Sequence, residues 1–261
     1  MARRPPRLPA PFLRRVAFLP DAGMDRSTYP FTLPFLRDPD WEMTFDQPVT
    51  IIVGENGTGK STLIEGLAEL AGYDQAGGGK GYRPVRHDRA LENSGADLAS
   101  VWRASWLPKV TDGWFFRAES FFSVARYLDE TAQDGGGAPP DFLSHSHGEG
   151  FLRVFAERCS RPGLYLMDEP ESALSPQRQL DLLAILARVQ QSATAQVILA
   201  THSPILMALP GARLLQLTRF GLDPVDLRQT RHFLTLAAFC RDPEGFVAEA
   251  LADRAQDPAM D

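Results

Sequence analysis

The chain is poor in the features that mark secreted and membrane-spanning proteins. Its 261 residues include only two cysteines, Cys159 and Cys240, and no CxxC pair. The N-terminus MARRPPRLPAPFLRR lacks the continuous apolar segment of a secretory signal. Apolar runs elsewhere are short, whereas a spanning helix needs about 20 residues. We therefore expect no disulfide framework, no transmembrane segment of its own, and a cytoplasmic location.

An excess of positive charge is also missing. The net charge is −6 and the isoelectric point is near 5.4, so the chain as a whole presents no basic field for DNA or RNA. Heptads sustained over several turns and internal repeats are absent as well, which excludes a long coiled-coil arm. The length fits one large domain, or one domain with an inserted lobe.

Three short apolar runs predict buried parallel strands, because each ends abruptly in polar or glycine residues. They lie at residues 50–53, 164–167 and 197–200. Helices are predicted at residues 60–71 and 176–191, the second capped by Ser175 with proline at its first position. This order indicates an α/β fold with ligands at the carboxyl ends of the strands.

Residues 54–61, GENGTGKS, match the phosphate-binding pattern G-x-x-x-x-G-K-[ST] between a predicted strand and a predicted helix. Glycines let backbone N–H groups point at phosphate oxygens, and the helix that follows presents its positive end. We expect Lys60 to reach the β- and γ-phosphates, Ser61 to bind Mg²⁺, and Thr62 to have a lesser role. No N-K-x-D guanine motif occurs, which favours ATP over GTP. The nucleotide-binding residues of this segment are Gly54, Asn56, Gly57, Thr58, Gly59, Lys60, Ser61 and Thr62.

Two acidic residues follow the second apolar run, and a histidine follows the third. In LYLMDEPES, Asp168 at the strand tip suits a contact with Mg²⁺ or its water, and Glu169 suits the orientation of an attacking water. In ATHSP, His202 occupies the corresponding place on its own strand. A histidine there can donate a hydrogen bond to a γ-phosphate or hold the water, although a loop histidine without a catalytic role has the same spacing.

The segment HSHGEG, residues 145–150, first looks like a metal site. His147 and Glu149 have the H-x-E spacing of zinc deaminases, with His145 close by. That interpretation needs a downstream P-C-x-x-C, and Cys159 is followed instead by Ser160. A metal site at this segment is therefore disfavoured.

Taken in order, GENGTGKS, SHGEG, LYLMDEPESALS and THS resemble the motifs of the ATP-binding cassette (ABC) ATPase superfamily. The resemblance implies that Ser146, Gly148 and Glu149, with Gly150, form the signature that binds the γ-phosphate held by a second subunit. Glutamate replaces the usual glutamine, and His147 replaces a glycine. It also implies that residues 171–175 cross a dimer interface and that His202 is the switch histidine.

Two further family elements are less distinct. Glu119 in FFRAES is the candidate for the glutamine that usually contacts the Mg²⁺-bound water. An adenine-stacking aromatic should precede the phosphate cradle, where Tyr29, Phe31 and Phe35 are all candidates.

The resemblance predicts a P-loop NTPase fold with an ABC-like core sheet, flanking helices and a small inserted lobe of helical and aromatic character. The core is expected at about residues 12–75 and 160–220, the lobe with the signature at 76–159, and a helical extension at 221–261. The aromatic residues assigned to the lobe are Trp102, Trp106, Trp114, Phe115, Phe116, Phe121 and Phe122.

The motif wording is closer to soluble DNA-repair and chromosome-maintenance ATPases than to transporter subunits. The expected function is therefore Mg²⁺-dependent ATP hydrolysis by a head-to-tail homodimer that acts on DNA or on a protein partner. The alternatives are the nucleotide-binding subunit of an ABC transporter and an ATP sensor with negligible turnover.

Overall fold

The structure, a computed structural model, describes residues 8–20, 22–75, 77–80, 94–117 and 147–255, and for residues 147–149 and 254–255 it describes the backbone alone. The chain divides into two compact units, Met1–Pro224 and Val225–Asp261. The strands are β1 (Leu13–Phe18), β2 (Glu42–Thr44), β3 (Val49–Val53), β4 (Trp102–Trp106), β5 (Gly113–Arg117), β6 (Leu164–Asp168), β7 (Gln196–Ala200), β8 (Arg213–Thr218) and β9 (Gly221–Pro224).

A six-stranded sheet in the order β5-β6-β7-β3-β8-β9 forms the centre of the first unit. Its neighbours pair in parallel except β9, which is antiparallel to β8. Strands β3, β6 and β7 are buried along their whole length, as expected when both faces of a parallel sheet are covered. The predicted α/β fold class is confirmed, and the carboxyl ends of these three strands lie at one edge of the sheet.

The helices of the first unit are α1 (Lys60–Ala71), α2 (Ser94–Val101), α3 (His147–Arg158), α4 (Pro176–Ser192) and α5 (Pro204–Met207). Helix α1 has the predicted bounds, and it ends where the backbone of Gly72 turns left-handed and its N–H bonds the carbonyls of the last turn. Helix α4 begins as predicted, with Ser175 accepting the N–H of Arg178.

A second sheet, antiparallel and in the order β2-β1-β4, packs with the first through a shared apolar core. The side chain of Gln196, at the start of β7, joins the two sheets. Its Oε1 accepts the N–H groups of Phe12 and Leu13 at 2.8 and 2.7 Å, and its Nε2 donates to the carbonyl of Leu13 at 3.0 Å. This fully buried amide thus hydrogen-bonds three backbone groups of residues 12 and 13, where β1 begins.

The aromatic residues assigned to an inserted lobe belong to these two sheets wherever the structure describes them. Trp102 and Trp106 lie on β4, where Trp102 stacks on Trp41 with ring centroids 5.1 Å apart. Residues 114–116 lie on β5, which pairs with β6 in the central sheet. Residues 102–106 and 113–117 of the range 76–159 therefore lie on strands of the two sheets, and the division of the chain into core, lobe and extension stays a prediction. Phe121 and Phe122 lie outside the described residues.

The second unit contains a short 3-10 helix, Leu227–Gln229, and the helices α6 (Arg231–Arg241) and α7 (Pro243–Ala255). Asp226 caps the 3-10 turn, and Thr230 caps α6. Phe239 of α6 and Phe246 of α7 meet edge to face at 6.0 Å.

The two cysteines differ in environment: Cys159, directly after α3, is buried, whereas Cys240 on α6 is exposed. Among the described residues, none of the helices has the length and apolar character needed to cross a bilayer.

Candidate functional site

The phosphate cradle is the loop between β3 and α1. Gly57 and Gly59 adopt left-handed backbone conformations, with φ of 75° and 94°. A Cβ at Gly59 would also lie 3.0 Å from the side chains of Leu33 and Phe35, so both the backbone and the wall behind it require glycine here. Thr58 steadies the loop by donating its hydroxyl to the carbonyl of Glu55 at 2.8 Å. The loop and helix start thus have the form that the sequence predicts.

Lys60, the first residue of α1, extends its side chain along the inside of the loop. Its Nζ donates to the carbonyls of Gly54 and Glu55 at 2.9 and 3.1 Å, and the residue is only 4% exposed. Burial lowers the pKa of this amine, and the charges of Glu169 and Asp168 oppose that effect. A buried ammonium held by two backbone carbonyls is suited to exchange them for phosphate oxygens.

Ser61 and Asp168 meet at the same edge of the sheet. The Ser61 hydroxyl donates to Oδ1 of Asp168 at 3.2 Å, and Asp168 is buried at the tip of β6. Burial raises the pKa of Asp168 to about 6, opposed mainly by Arg117. A hydroxyl and a carboxylate beside a phosphate loop are the hard oxygen donors that Mg²⁺ uses, so these two residues fit such an ion. Glu119, the third predicted metal residue, lies outside the described residues.

Arg117 is a site residue that sequence reasoning did not select. It ends β5, and its Nε lies 4.0 Å from Oδ2 of Asp168 while its Nη1 pairs with Oε1 of Glu65 at 2.8 Å. Ser94 on α2 donates to Oε2 of the same glutamate at 3.2 Å. These polar contacts therefore connect α2 and α1 to the carboxylate of Asp168 on β6. In the sequence the only signal near Arg117 is the FFRAES segment, in which Glu119 is the residue that resembles a metal contact.

Glu169 and His202 face each other across the ends of β6 and β7. Nε2 of His202 lies 3.4 Å from Oε1 of Glu169, with side-chain exposures of 26% and 41%. Glu169 has φ 46° and ψ 54°, a left-handed conformation that a non-glycine residue adopts rarely and that concentrates at functional sites. The two residues predicted to act on the attacking water and the γ-phosphate are thus neighbours.

A cavity of about 400 Å³ opens over this edge, a size typical of small-molecule sites. Its lining consists of Tyr29, Leu33, Asn56, Gly57, Gly59, Lys60, Ser61, Thr62 and Glu169. Six of the eight nucleotide-binding residues predicted between Gly54 and Thr62 therefore line the same cavity as Glu169.

Burial separates the three aromatic candidates for adenine stacking. Phe35 is 1% exposed in the core, and Phe31 packs against that core. Tyr29 is 47% exposed, lines the cavity, and its hydroxyl shares a 2.5 Å hydrogen bond with Oγ1 of Thr62. Of the three candidates, Tyr29 is the one whose ring lines the cavity, and its role in stacking stays a prediction.

The signature segment is only partly described. Gly148 and Glu149 lie in the first turn of α3, where the backbone alone is described, and Ser146 lies outside the described residues together with His145. Their assignment stays a prediction. Among the described residues no cluster of three or more histidine, cysteine, aspartate or glutamate side chains could hold a metal.

Two family models match separate parts of the chain. Residues 140–208 match a family described as "AAA domain, putative AbiEii toxin, Type IV TA system", and residues 33–105 match a family described as "AAA domain". Between them they span the cradle, the acidic pair and His202. No curated protein is a significant match.

Several solved structures are similar at low identity. One, "an inward-facing conformation of a putative metal-chelate type ABC transporter", is 21% identical over 75% of this chain and 80% of its own, with a TM-score of 0.44. The SMC head domain from Thermotoga maritima is 16% identical over 82% and 98%, with a TM-score of 0.43. CbiO1 from Clostridium perfringens, part of the ABC transporter complex cbiONQ, is 14% identical over 81% and 91%, with a TM-score of 0.39.

The predicted resemblance is confirmed at the level of the domain. A parallel sheet with a phosphate loop after β3 and an acidic pair after β6, together with the two AAA-domain matches, resembles the ABC-like P-loop ATPases.

Proposed function

We propose that this ABC-like P-loop ATPase binds ATP with Mg²⁺ and hydrolyses it to ADP and phosphate. The observation that carries the proposal is the meeting of five groups at one sheet edge. Lys60 and the hydrogen-bonded pair Ser61 and Asp168 lie at the glycine-rich loop, and Glu169, which lines the cavity, lies 3.4 Å from His202.

Each residue has a role that its position supports. The N–H groups of residues 54–61 and the ammonium of Lys60 bind phosphate oxygens. Ser61 and Asp168 would hold Mg²⁺, which neutralises phosphate charge when it is bound. Glu169 orients the attacking water and accepts its proton, and His202 donates a hydrogen bond to the γ-phosphate. Tyr29 stacks on the base.

The proposal is tested by measuring phosphate release with Mg²⁺ and with EDTA. We expect Glu169→Gln to lower turnover by about 10²- to 10⁴-fold, the usual contribution of a positioned base, while the protein still binds ATP. Glu249→Gln, an exposed substitution on α7, serves as the control and should leave turnover unchanged. Wild-type protein that binds ATP and releases no phosphate would instead support the sensor alternative.

We further propose that two copies close head to tail, so that Ser146, Gly148 and Glu149 of one complete the site of the other. The support is the order of motifs that resembles the ABC superfamily. Turnover per chain should then rise with protein concentration, and the Glu169→Gln protein with ATP should sediment as a dimer. Ser146→Arg should retain ATP binding and abolish hydrolysis. A monomer with concentration-independent turnover would contradict this arrangement.

We propose that closure of this dimer does work on a protein or nucleic-acid partner, in repair or defence. The support is the analogy with soluble relatives and the toxin–antitoxin description of the family that matches residues 140–208. A pull-down with the ATP-bound Glu169→Gln protein tests it, alongside DNA binding at several salt concentrations. Co-purification with a membrane protein would favour the alternative of a transporter subunit.

A further inference from the structure

The loops that follow β6 and β7 are joined by the side chain of Glu171, which is not among the predicted catalytic or nucleotide-binding residues. The backbone continues the strand pairing by one step, with the N–H of Glu169 donating to the carbonyl of Ala200 at 3.0 Å. A 3-10 turn, Pro170–Ala173, then follows. Within it, Oε1 of Glu171 accepts the backbone N–H of His202 at 2.5 Å. The carboxylate thus spans the two loops.

Glu171 contacts the backbone of His202 rather than the cavity. It is not among the residues that line the cavity. Burial raises the pKa of its carboxyl, and the hydrogen bonds from the His202 backbone and the Thr201 side chain oppose that effect. A carboxylate taken partly out of water stabilises the fold only when its partners are well placed. Its partners here belong to the loop that carries the switch histidine.

A second tie holds the same loop from the other side. Nε2 of Gln179 on α4 donates to the carbonyl of Leu174 at 3.1 Å, and its Oε1 accepts the hydroxyl of Ser203 at 2.6 Å. Residues 201–203 have no regular secondary structure. Side-chain hydrogen bonds therefore fix much of their position.

We infer that Glu171 is a positioning residue, which holds the backbone of His202 so that its ring stays beside Glu169, with Gln179 as a second tether through Ser203. Two carboxylates bracket the histidine: Glu169 at the ring and Glu171 at the main chain. The inference rests on the proposed function, because positioning matters only if His202 acts on the γ-phosphate. We therefore expect Glu171 to affect the rate of hydrolysis, and the residues of the cradle to determine nucleotide affinity.

The test separates turnover from binding in three variants. Glu171→Ala removes the acceptor, and Glu171→Asp withdraws it by one methylene. Both should lower kcat by about 10- to 100-fold, the cost of misplacing a catalytic group by about 1 Å. Glu171→Gln keeps an acceptor oxygen of the same reach and should retain kcat within about threefold. ATP affinity, followed with a fluorescent ATP analogue, should stay within about twofold in all three.

Gln179→Ala provides a second approach should Glu171→Ala fail to fold. It breaks the Ser203 tether without touching Glu171, and we expect the same selective loss of kcat with a smaller amplitude. Gln177→Ala is the matched control, because Gln177 lies exposed two residues earlier on the same helix. That variant should be indistinguishable from the wild type.

The outcomes distinguish the inference from the proposed function. If wild-type protein hydrolyses ATP and Glu171→Ala turns over within about twofold of it, or loses affinity in parallel with kcat, Glu171 is not a positioning residue. If wild-type protein releases no phosphate, the proposed function fails. Hydrogen exchange of the His202 amide in nucleotide-free protein then tests the hydrogen bond to Glu171 directly. Glu171→Ala should accelerate this exchange by about tenfold, and an unchanged rate would overturn the inference.

Discussion

The hydroxyl of Ser61 donates a hydrogen bond to Oδ1 of Asp168 across 3.2 Å, although 107 positions of sequence separate the two residues. One residue belongs to the first turn of α1 and the other to the tip of β6, so the bond closes the phosphate loop onto the acidic strand. This contact brings two hard oxygen donors together before any ligand arrives. Its stability should therefore depend on the protonation of Asp168.

The first prediction concerns pH. Burial raises the pKa of Asp168 in the folded state to about 6 from its ordinary value of 3.8, so the folded state binds more protons than the unfolded state between these values. The contribution of Asp168 to stability consequently falls as pH rises through that window and stays low above it. Asp168→Asn cannot ionise, and its stability relative to the wild type should increase by about 2 kcal/mol between pH 4.5 and pH 7.5.

Urea unfolding in EDTA at the two pH values measures the effect. Asp223→Asn, an exposed substitution on β9, is the control and should change the free energy of unfolding by no more than about 0.5 kcal/mol. If the difference in free energy of unfolding between Asp168→Asn and the wild type is the same at both pH values, burial does not raise the pKa of Asp168.

The second prediction concerns the pair of Arg117 and Glu65. Both side chains are mostly buried and lie 2.8 Å apart, so Arg117→Met should leave the glutamate without its guanidinium and lower the free energy of unfolding by about 3 kcal/mol. Glu65→Gln in the same chain should restore part of that loss. A double-mutant cycle from urea unfolding measures the coupling, which we expect at about 1 to 3 kcal/mol, and additive losses would contradict the pairing.

The third prediction concerns the contact between α1 and β4. A Cβ at Gly66 would lie 2.5 Å from Cζ3 of Trp102 and 3.1 Å from Cβ of Leu98. Gly66→Ala should therefore destabilise the protein by about 1 to 3 kcal/mol through overpacking, despite the better helix propensity of alanine. Gly23→Ala is the matched control, since nothing lies within 4 Å of a Cβ there. Equal melting temperatures for the two variants would argue against the close approach.

Local patterns were sufficient for the elements that carry the cradle. The run at residues 50–53, the GENGTGKS loop and a helix from Lys60 to Ala71 are determined by short-range signals: a buried apolar strand, glycine at left-handed positions and a glycine stop. The same holds for the acidic pair, because a dry strand that ends in two carboxylates is rare outside functional sites. These are properties of neighbours along the chain.

The remaining site residues depend on contacts that no local pattern encodes. Arg117 and Glu171 contact partners on other elements of the fold. Aromatic residues in a sequence do not reveal which sheet they join, so the sequence predicts an insert where β5, the strand that carries Arg117, pairs with β6. Tyr29 and Phe35 are equivalent in a sequence, and only the packing buries one and leaves the other at the cavity. Long-range packing decided each of these cases.

The contrast between the two cysteines offers an experimental handle. Burial raises the pKa of the Cys159 thiol well above its usual value and keeps it out of solvent, whereas Cys240 on α6 is exposed. Because thiolate character and access govern alkylation, a maleimide dye should label native protein at Cys240 with no engineered substitution. A fluorophore attached there would follow the C-terminal unit through a nucleotide cycle while every residue of the candidate site stays intact.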